Sequence, residues 1–193
     1  EEMMSAFGSG IEINQAGATK VWFHFGQLTE EIEILSDEYI RQINNLPYLH
    51  QQGDGVKSFL GILLAIYGGL TPYLFIDEPD LFLHPPQARH LGEILANSTF
   101  AENRVSRQIF IATHSKEFVE GAISSGANVN IIRLGENNAG RYSQIYNTSD
   151  FRTINNSDFL KINQSLNGLF FKGIVLCEGK EDVLFYQYIF KLY

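Results

Sequence analysis

Along the middle of the chain, apolar positions with helical spacing alternate with short uninterrupted apolar runs. This pattern predicts helices that begin near residue 53, near Pro85 and after Ser115. It also predicts strands at residues 73–76, 108–112 and 129–134, and a hairpin strand at residues 142–146. Helices and strands that follow one another in this order favour an α/β fold, in which a mostly parallel sheet is flanked by helices.

The first 25 residues carry a different pattern. Short β-branched and aromatic runs surround a turn at residues 14–17, which predicts two strands. In the second strand Phe23 and Phe25 alternate with Trp22 and His24. We therefore expect one buried face and one partly solvated face, with Trp22 and His24 as ordinary strand residues.

Composition limits the class of protein. The chain has 193 residues, of which 45% are hydrophobic, so it can bury a sizeable core and is not a disordered polymer. Its net charge of −8 disfavours nucleic-acid binding over the whole surface. The most apolar stretch, residues 59–70, is shorter than the ~20 residues of a membrane span. We therefore expect no membrane segment. A single cysteine, Cys177, excludes an internal disulfide, so we expect a cytoplasmic protein.

Two carboxylates follow the apolar run at residues 73–76, which is typical of a strand buried on both faces. Asp77 and Glu78 therefore stand at the carboxyl end of a strand, the edge where open α/β sheets bind ligands. Adjacent side chains of an extended chain point in opposite directions. Asp77 can thus hold a magnesium ion while Glu78 faces an attacking water. The alternative is a strand that ends in an ordinary polar turn.

A histidine follows the next predicted strand. His114 comes directly after residues 108–112, so we expect it at the same sheet edge, where it can donate a hydrogen bond to a terminal phosphate. The alternative is an ordinary surface histidine. Arg104 and Arg107 precede the same strand, and we interpret them as solvated side chains rather than phosphate ligands.

Glycines open the predicted helix near residue 53. In Gly53-Asp54-Gly55 they leave backbone N–H groups and the positive end of the helix available to an anion. The alternative is a flexible helix start.

Along the chain, a glycine-rich helix start is followed by an acidic strand end and then by a histidine after the next strand. In this sequence order the three features resemble the C-terminal half of an ABC-type ATPase head. Gly53-Asp54-Gly55 resembles the signature loop, residues 74–78 resemble Walker B, and His114 resembles the switch histidine. More narrowly, residues 77–85 are similar to the head of the OLD (overcoming lysogenisation defect) family and its SMC-like and RecF-like relatives. Transporter heads usually carry Ser-Gly-Gly-Gln in the signature loop; here Gly53 replaces the serine and Val56 the glutamine.

The resemblance implies hydrolysis of ATP with Mg²⁺ and an ATP-favoured homodimer of heads. Glu78 and His114 would be catalytic, and Asp77 would bind the metal. The residues implied to meet the nucleotide are Gly53, Asp54, Gly55, Lys57 and His84. The sequence contains no Gly-x-x-x-x-Gly-Lys-Ser/Thr motif, so we expect the P-loop upstream of Glu1.

Residues 173–182 form a second apolar run that ends in an acid and a glycine turn. They resemble the first motif of a Toprim nuclease domain, which follows the head in OLD-family proteins. The resemblance implies that Glu178 is a general acid/base or metal-associated carboxylate and that Asp182 assists at the metal. The later Asp-x-Asp motif of a Toprim site does not occur in the sequence.

The expected organisation is therefore a head at residues 1–146, a linker at 147–172 and the start of a Toprim domain at 173–193, in a protein that acts on DNA or in phage defence. A non-nuclease, ATP-gated clamp of DNA repair is the first alternative. The energy-coupling subunit of a transporter is the second.

Overall fold

The computed structural model describes residues 1–16, 20–29, 32–69, 71–98, 107–150, 168–171, 175, 177 and 179–192. In these residues the helices are α1 (Glu2–Phe7), α2 (Asp37–Asn45), α3 (Asp54–Gly68), α4 (Pro85–Asn97), α5 (Lys116–Ser124) and α6 (Lys180–Leu192), with a 3₁₀ helix at Leu49–Gln51. The strands are β1 (Ile11–Asn14), β2 (Trp22–Phe25), β3 (Tyr73–Asp77), β4 (Gln108–Ala112), β5 (Asn130–Asn137) and β6 (Gly140–Asn147).

Strands β3 and β4 pair in parallel, so their carboxyl ends lie side by side. Tyr73 is opposite Gln108, and Asp77 is opposite Ala112. The described strands otherwise form two antiparallel pairs, β1 with β2 and β5 with β6. The β5–β6 hairpin confirms the predicted turn and return strand. The larger, mostly parallel sheet stays a prediction.

The main core lies between the β3–β4 pair and the helices. Leu74, Ile76, Ile109 and Ile111 pack against it from one face of the pair. The buried side chains of the core come from α1, α3, α4 and α5: Met3, Phe59, Leu60, Leu63, Ile66, Leu91, Ile94, Leu95 and Phe118. This packing fixes β3 and β4 against the helices.

The other face of the β3–β4 pair is open. Tyr73 is 59% exposed and Phe75 73% exposed. The Phe75 ring stacks on the Phe110 ring, with 4.9 Å between the ring centroids. The prediction that residues 73–76 are buried on both faces is therefore wrong for the described structure, because helices cover one face only.

His24 also differs from its prediction. Its side chain is fully buried, whereas Trp22 is 41% exposed. The Nδ1 atom of His24 donates to the carbonyl oxygen of Leu46 at 2.9 Å. His24 thus lies beneath the segment that leads from α2 to the 3₁₀ helix, and this tertiary contact overrides the expected solvated face.

Arg107 is not a free solvated side chain. Its guanidinium donates to the carbonyl oxygens of Ala65 (3.2 Å), Ile66 (2.7 Å), Gly69 and Thr71 (3.1 Å). These oxygens lie at the carboxyl end of α3 and in the connection to β3, where helices leave carbonyl groups without intrahelical partners. Arg107 therefore joins the end of α3 to the starts of β3 and β4.

None of the helices that the structure describes has the length and apolar character needed to cross a lipid bilayer.

Candidate functional site

The carboxyl end of β3 turns sharply at Glu78. The Glu78 N–H donates to the carbonyl oxygen of Ala112 at 2.8 Å, which extends the β3–β4 pairing by one residue. Glu78 has a φ of +46°, in the left-handed region that residues other than glycine rarely adopt. Asp77 remains exposed just before this turn. Asp77 is thus the last residue of the extended strand, whereas Glu78 has already left the extended conformation, so the opposite orientation of the two side chains stays a prediction.

Glu78 and His114 form an ion pair. The Nδ1 atom of His114 lies 2.6 Å from Oε2 of Glu78, and the two side chains are 80% and 35% exposed. The hydrogen bond to Glu78, together with the carboxylate charge, raises the pKa of His114 above its ordinary value. The structure thus brings together two residues, from the ends of adjacent strands, that the sequence predicts as catalytic.

A second polar contact joins the same two loops. The Thr113 hydroxyl donates to Oδ1 of Asp80 at 2.6 Å and accepts from the Ser115 N–H at 2.9 Å. The Ser115 hydroxyl in turn accepts from the Phe118 N–H and caps α5. Asp80 and Thr113 are not among the site residues predicted from the sequence. The only sequence signal for these two residues is their position, since Asp80 lies two residues after Glu78 and Thr113 lies directly before His114.

The start of α3 is exposed and lacks a side-chain cap. Gly53 is the N-cap residue, and a Cβ atom built on it would meet nothing within 4 Å. Lys57 forms an ion pair with Asp54, with 2.8 Å between Nζ and Oδ1. Among the hydrogen bonds described for this helix end, no side chain accepts from the first-turn N–H groups.

Gly55 has a structural reason to be glycine. A Cβ atom on this residue would lie 2.5 Å from the carbonyl oxygen of Phe82. The loop after β3 therefore packs directly against the first turn of α3. His84 ends this loop, is exposed, and donates through its N–H to Oε1 of Gln87 at 3.0 Å.

The loop after β3 thus contacts both the strand-end residues and the start of α3. Through Asp80 it bonds the segment that carries His114, and through Phe82 it touches the first turn of α3. Movement of this loop would alter both groups together.

The described residues do not test the predicted metal site of the second motif. Glu178 lies outside the described residues. The Oδ2 atom of Asp182 accepts from the Gly179 N–H at 3.1 Å, which is a helix-capping contact. Within the part of the chain that the structure describes, no three His, Cys, Asp or Glu side chains are grouped to hold a metal ion. The metal roles of Asp77, Glu178 and Asp182 stay predictions.

Comparison with protein families gives a match over residues 15–120, which is more than half of the chain. The matching family is described as "AAA domain, putative AbiEii toxin, Type IV TA system". The chain belongs to this AAA-domain family. Comparison with curated proteins gave no match.

Among solved structures, the chain is similar to one from a study of the ATP-driven dimerisation and DNA-stimulated activation of SMC ATPases. The TM-score is 0.50 and the sequence identity 11%, and the match covers 79% of this chain and 84% of that chain. At this identity the likeness shows the fold alone.

The AAA-domain match identifies an ATPase-type domain, and it includes the strand-end acids, His114 and the start of α3. It ends before α6, so it gives no information on the Toprim-like segment. The ABC-like head predicted from the sequence is therefore supported in its coarse form, as an AAA-type domain with the fold of an SMC ATPase head.

Proposed function

We propose that this chain is the part of an ATP-hydrolysing head that supplies the hydrolytic carboxylate and the phosphate-sensing histidine. The observation that carries the proposal is the Glu78–His114 pair, 2.6 Å apart, at the carboxyl edge of a parallel strand pair. Ligands in open α/β sheets bind at this edge. Membership in an AAA-domain family supports ATP as the ligand.

The residues present fit a magnesium nucleotide. Asp77 offers an exposed carboxylate at the end of β3, and Mg²⁺ in phosphate sites usually has one or two protein carboxylates and several waters. When bound, the ion neutralises charge on the phosphate oxygens.

In this function Glu78 orients the attacking water and accepts its proton. In this proposal the contact of His114 Nδ1 with the carboxylate, at 2.6 Å, orients the carboxylate. The same contact leaves Nε2 of the exposed His114 ring as the donor to a terminal phosphate. The raised pKa of His114 favours the doubly protonated ring that can serve both partners.

We place the start of α3 at the nucleotide of a second protomer. Its uncapped N–H groups and positive helix end suit a phosphate, and a Cβ atom on Gly53 would meet nothing within 4 Å. The interface of the head-to-head homodimer would include Gly53, Asp54, Gly55, Lys57 and His84.

Replacing Glu78 by glutamine tests the proposal. In the ATP-binding protein, Glu78→Gln is expected to lower the hydrolysis rate by roughly 10²–10⁴-fold, the size of a general-base contribution. ATP binding should be retained, because the amide is isosteric. Glu136→Gln, an exposed acid in the β5–β6 hairpin, is the matched control. An unchanged turnover number for Glu78→Gln would refute the assignment.

We further propose that the head belongs to an OLD-like protein with an attached Toprim nuclease that acts on DNA. The motif at residues 173–182 supports this. The exposed apolar surface of α6 also supports it, because such a surface suits packing against further parts of a domain. Six large side chains of this helix are 41–66% exposed: Val183, Leu184, Phe185, Tyr186, Tyr188 and Phe190. Metal-dependent DNA cleavage that is lost in Glu178→Ala would support the nuclease. DNA-stimulated ATP hydrolysis without cleavage would favour the non-nuclease clamp instead.

A further inference from the structure

Three aromatic rings form a column from the interior to the surface beside the start of α3. His24 is fully buried, and its ring centroid lies 4.6 Å from that of Tyr48. Tyr48 stacks on the exposed His50, with 5.2 Å between centroids and 26° between ring planes. Trp22 flanks the column, 5.6 Å from Tyr48 and 6.0 Å from His50.

Backbone hydrogen bonds hold this column in place. The Phe25 N–H donates to the Pro47 carbonyl at 2.9 Å, and His24 Nδ1 donates to the Leu46 carbonyl at 2.9 Å. The Gln51 N–H donates to the Tyr48 carbonyl at 3.1 Å within the 3₁₀ helix. The rings are therefore positioned by β2 and the 3₁₀ helix before any ligand binds, which lowers the entropic cost of binding.

The outer end of the column suits a nucleobase. The aromatic contacts described for His50 are those to Tyr48 and Trp22, and its exposed ring can extend the stack by one more flat ring. Nζ of Lys20 lies 6.0 Å from the Trp22 ring centroid and adds positive charge beside the aromatic surface. Aromatic side chains next to a cation match the chemistry of a base linked to phosphate.

The position of the column indicates which nucleotide supplies the base. His50 is three residues before Gly53, so their Cα atoms are at most about 10 Å apart. This span is shorter than an extended nucleoside triphosphate. A nucleotide with its terminal phosphate at the start of α3 can therefore place its base at His50.

We propose that His50, supported by Tyr48 and Trp22, stacks on the base of the nucleoside triphosphate whose terminal phosphate meets the start of α3. This inference rests on the proposed function, because it takes the nucleotide from the facing head of the dimer. It adds a base-recognition site to a surface that otherwise contacts only phosphate.

The first test measures the ATP concentration that gives half-maximal head dimerisation in the ATP-binding protein. Loss of one stacking partner is expected to raise this concentration roughly tenfold in His50→Ala, whereas His50→Phe should restore it. Leu134→Ala, a truncation at a 79% exposed side chain of the hairpin, serves as the control. Equal values for wild type and His50→Ala, or no rescue by His50→Phe, would overturn the proposal.

The second test is independent of affinity. Photolabelling with 8-azido-ATP, which carries its reactive group on the base, should modify the tryptic peptide 42–57 that contains Tyr48 and His50. Labelling confined to other peptides would overturn base stacking even where the protein hydrolyses ATP normally. Failure of the wild-type protein to hydrolyse ATP or dimerise with it would instead refute the proposed function, and with it this inference. Loss of single-stranded DNA binding in His50→Ala, with an unchanged ATP response, would assign the column to nucleic acid and overturn the nucleotide proposal.

Discussion

At its carboxyl end, helix α3 meets the guanidinium of Arg107, which donates to four carbonyl oxygens in and just after the last turn. At its amino end, Gly53 offers no side-chain cap, and the space around its Cβ position is empty to 4 Å. Both ends carry backbone groups without intrahelical partners. A distant part of the chain thus satisfies the groups at the carboxyl end, whereas no described side chain caps the groups at the amino end.

This contrast separates what the chain completes alone from what it leaves for another molecule. The strand-end group is already assembled, since Glu78 bonds His114 and Asp80 bonds Thr113. The start of α3 has the opposite character, because no described side chain caps its N–H groups. The proposed head-to-head dimer, with one half of the site on each protomer, accounts for both observations.

The largest effect is expected from a carboxylate at the open helix end. Gly53→Asp should lower ATP hydrolysis by roughly 10²-fold or more, because the new charge faces the phosphate where donors were available. The same change should leave stability equal or slightly higher, since aspartate is a favourable N-cap residue and its Cβ meets no neighbour. Thermal unfolding and an ATPase assay on the same preparation measure the two effects.

Mixing experiments extend this prediction to the dimer. Gly53→Asp protein combined with a P-loop-defective protein should regain one working site in each mixed dimer, if the helix end acts on the partner's nucleotide. Gly53→Ser supplies an uncharged cap and should retain activity. No recovery in mixtures of folded, dimeric proteins would contradict the two-protomer site. Gly55→Asp is a poorer probe, because its Cβ would lie 2.5 Å from the Phe82 carbonyl oxygen.

A smaller effect, on stability, is expected at the satisfied end. Arg107→Met removes hydrogen bonds from a charged donor to several carbonyl groups and should lower the free energy of unfolding by about 2–3 kcal/mol. Arg107→Lys should recover part of the loss, because one ammonium group cannot reproduce the fork of donors. Urea unfolding of both variants measures the difference. A loss below about 0.5 kcal/mol in Arg107→Met would mean that water replaces the arginine at little cost.

The sequence predicted the elements well because their signals are local. The strand at residues 108–112 has its predicted bounds, and the helices begin at or within one residue of their predicted starts at Gly53, Pro85 and Ser115. Glycine, proline and serine act on the nearest backbone groups, so their neighbours in sequence suffice to place a helix start. The meeting of Glu78 and His114 also followed, because the ends of parallel neighbouring strands share one edge.

Long-range contacts could not be predicted in this way. Arg107 bonds carbonyl groups 36–42 residues away, and nothing in its own neighbourhood distinguishes it from a solvated arginine. His24 is buried by a segment more than twenty residues further along the chain. Phe75 is exposed because no described element covers its face of the strand pair. In each case the burial or bonding of the residue depends on which distant segment packs against it, and hydrophobic periodicity does not specify this segment.

The smallest effect is expected from the protonation of His114. The hydrogen bond to Glu78 raises the pKa of His114 above its ordinary value of 6.5. The ion pair therefore stabilises the fold fully below pH 6.5, and its contribution is lost as the pH rises through the raised pKa. The change in stability should be small, because the His114 side chain is 80% exposed.

NMR titration of the His114 ring protons measures this pKa directly. Glu78→Gln removes the charge and the acceptor carboxylate, so it should return the pKa of His114 toward 6.5, whereas the control Glu136→Gln should leave it unchanged. Gly53→Asp should also leave it unchanged, because the open helix end contacts the strand-end group only through the intervening loop. The same pKa in wild type and Glu78→Gln would show that the two side chains are not paired in solution. A shift of the His114 pKa in Gly53→Asp would show instead that the start of α3 and the strand-end residues interact electrostatically within one protomer.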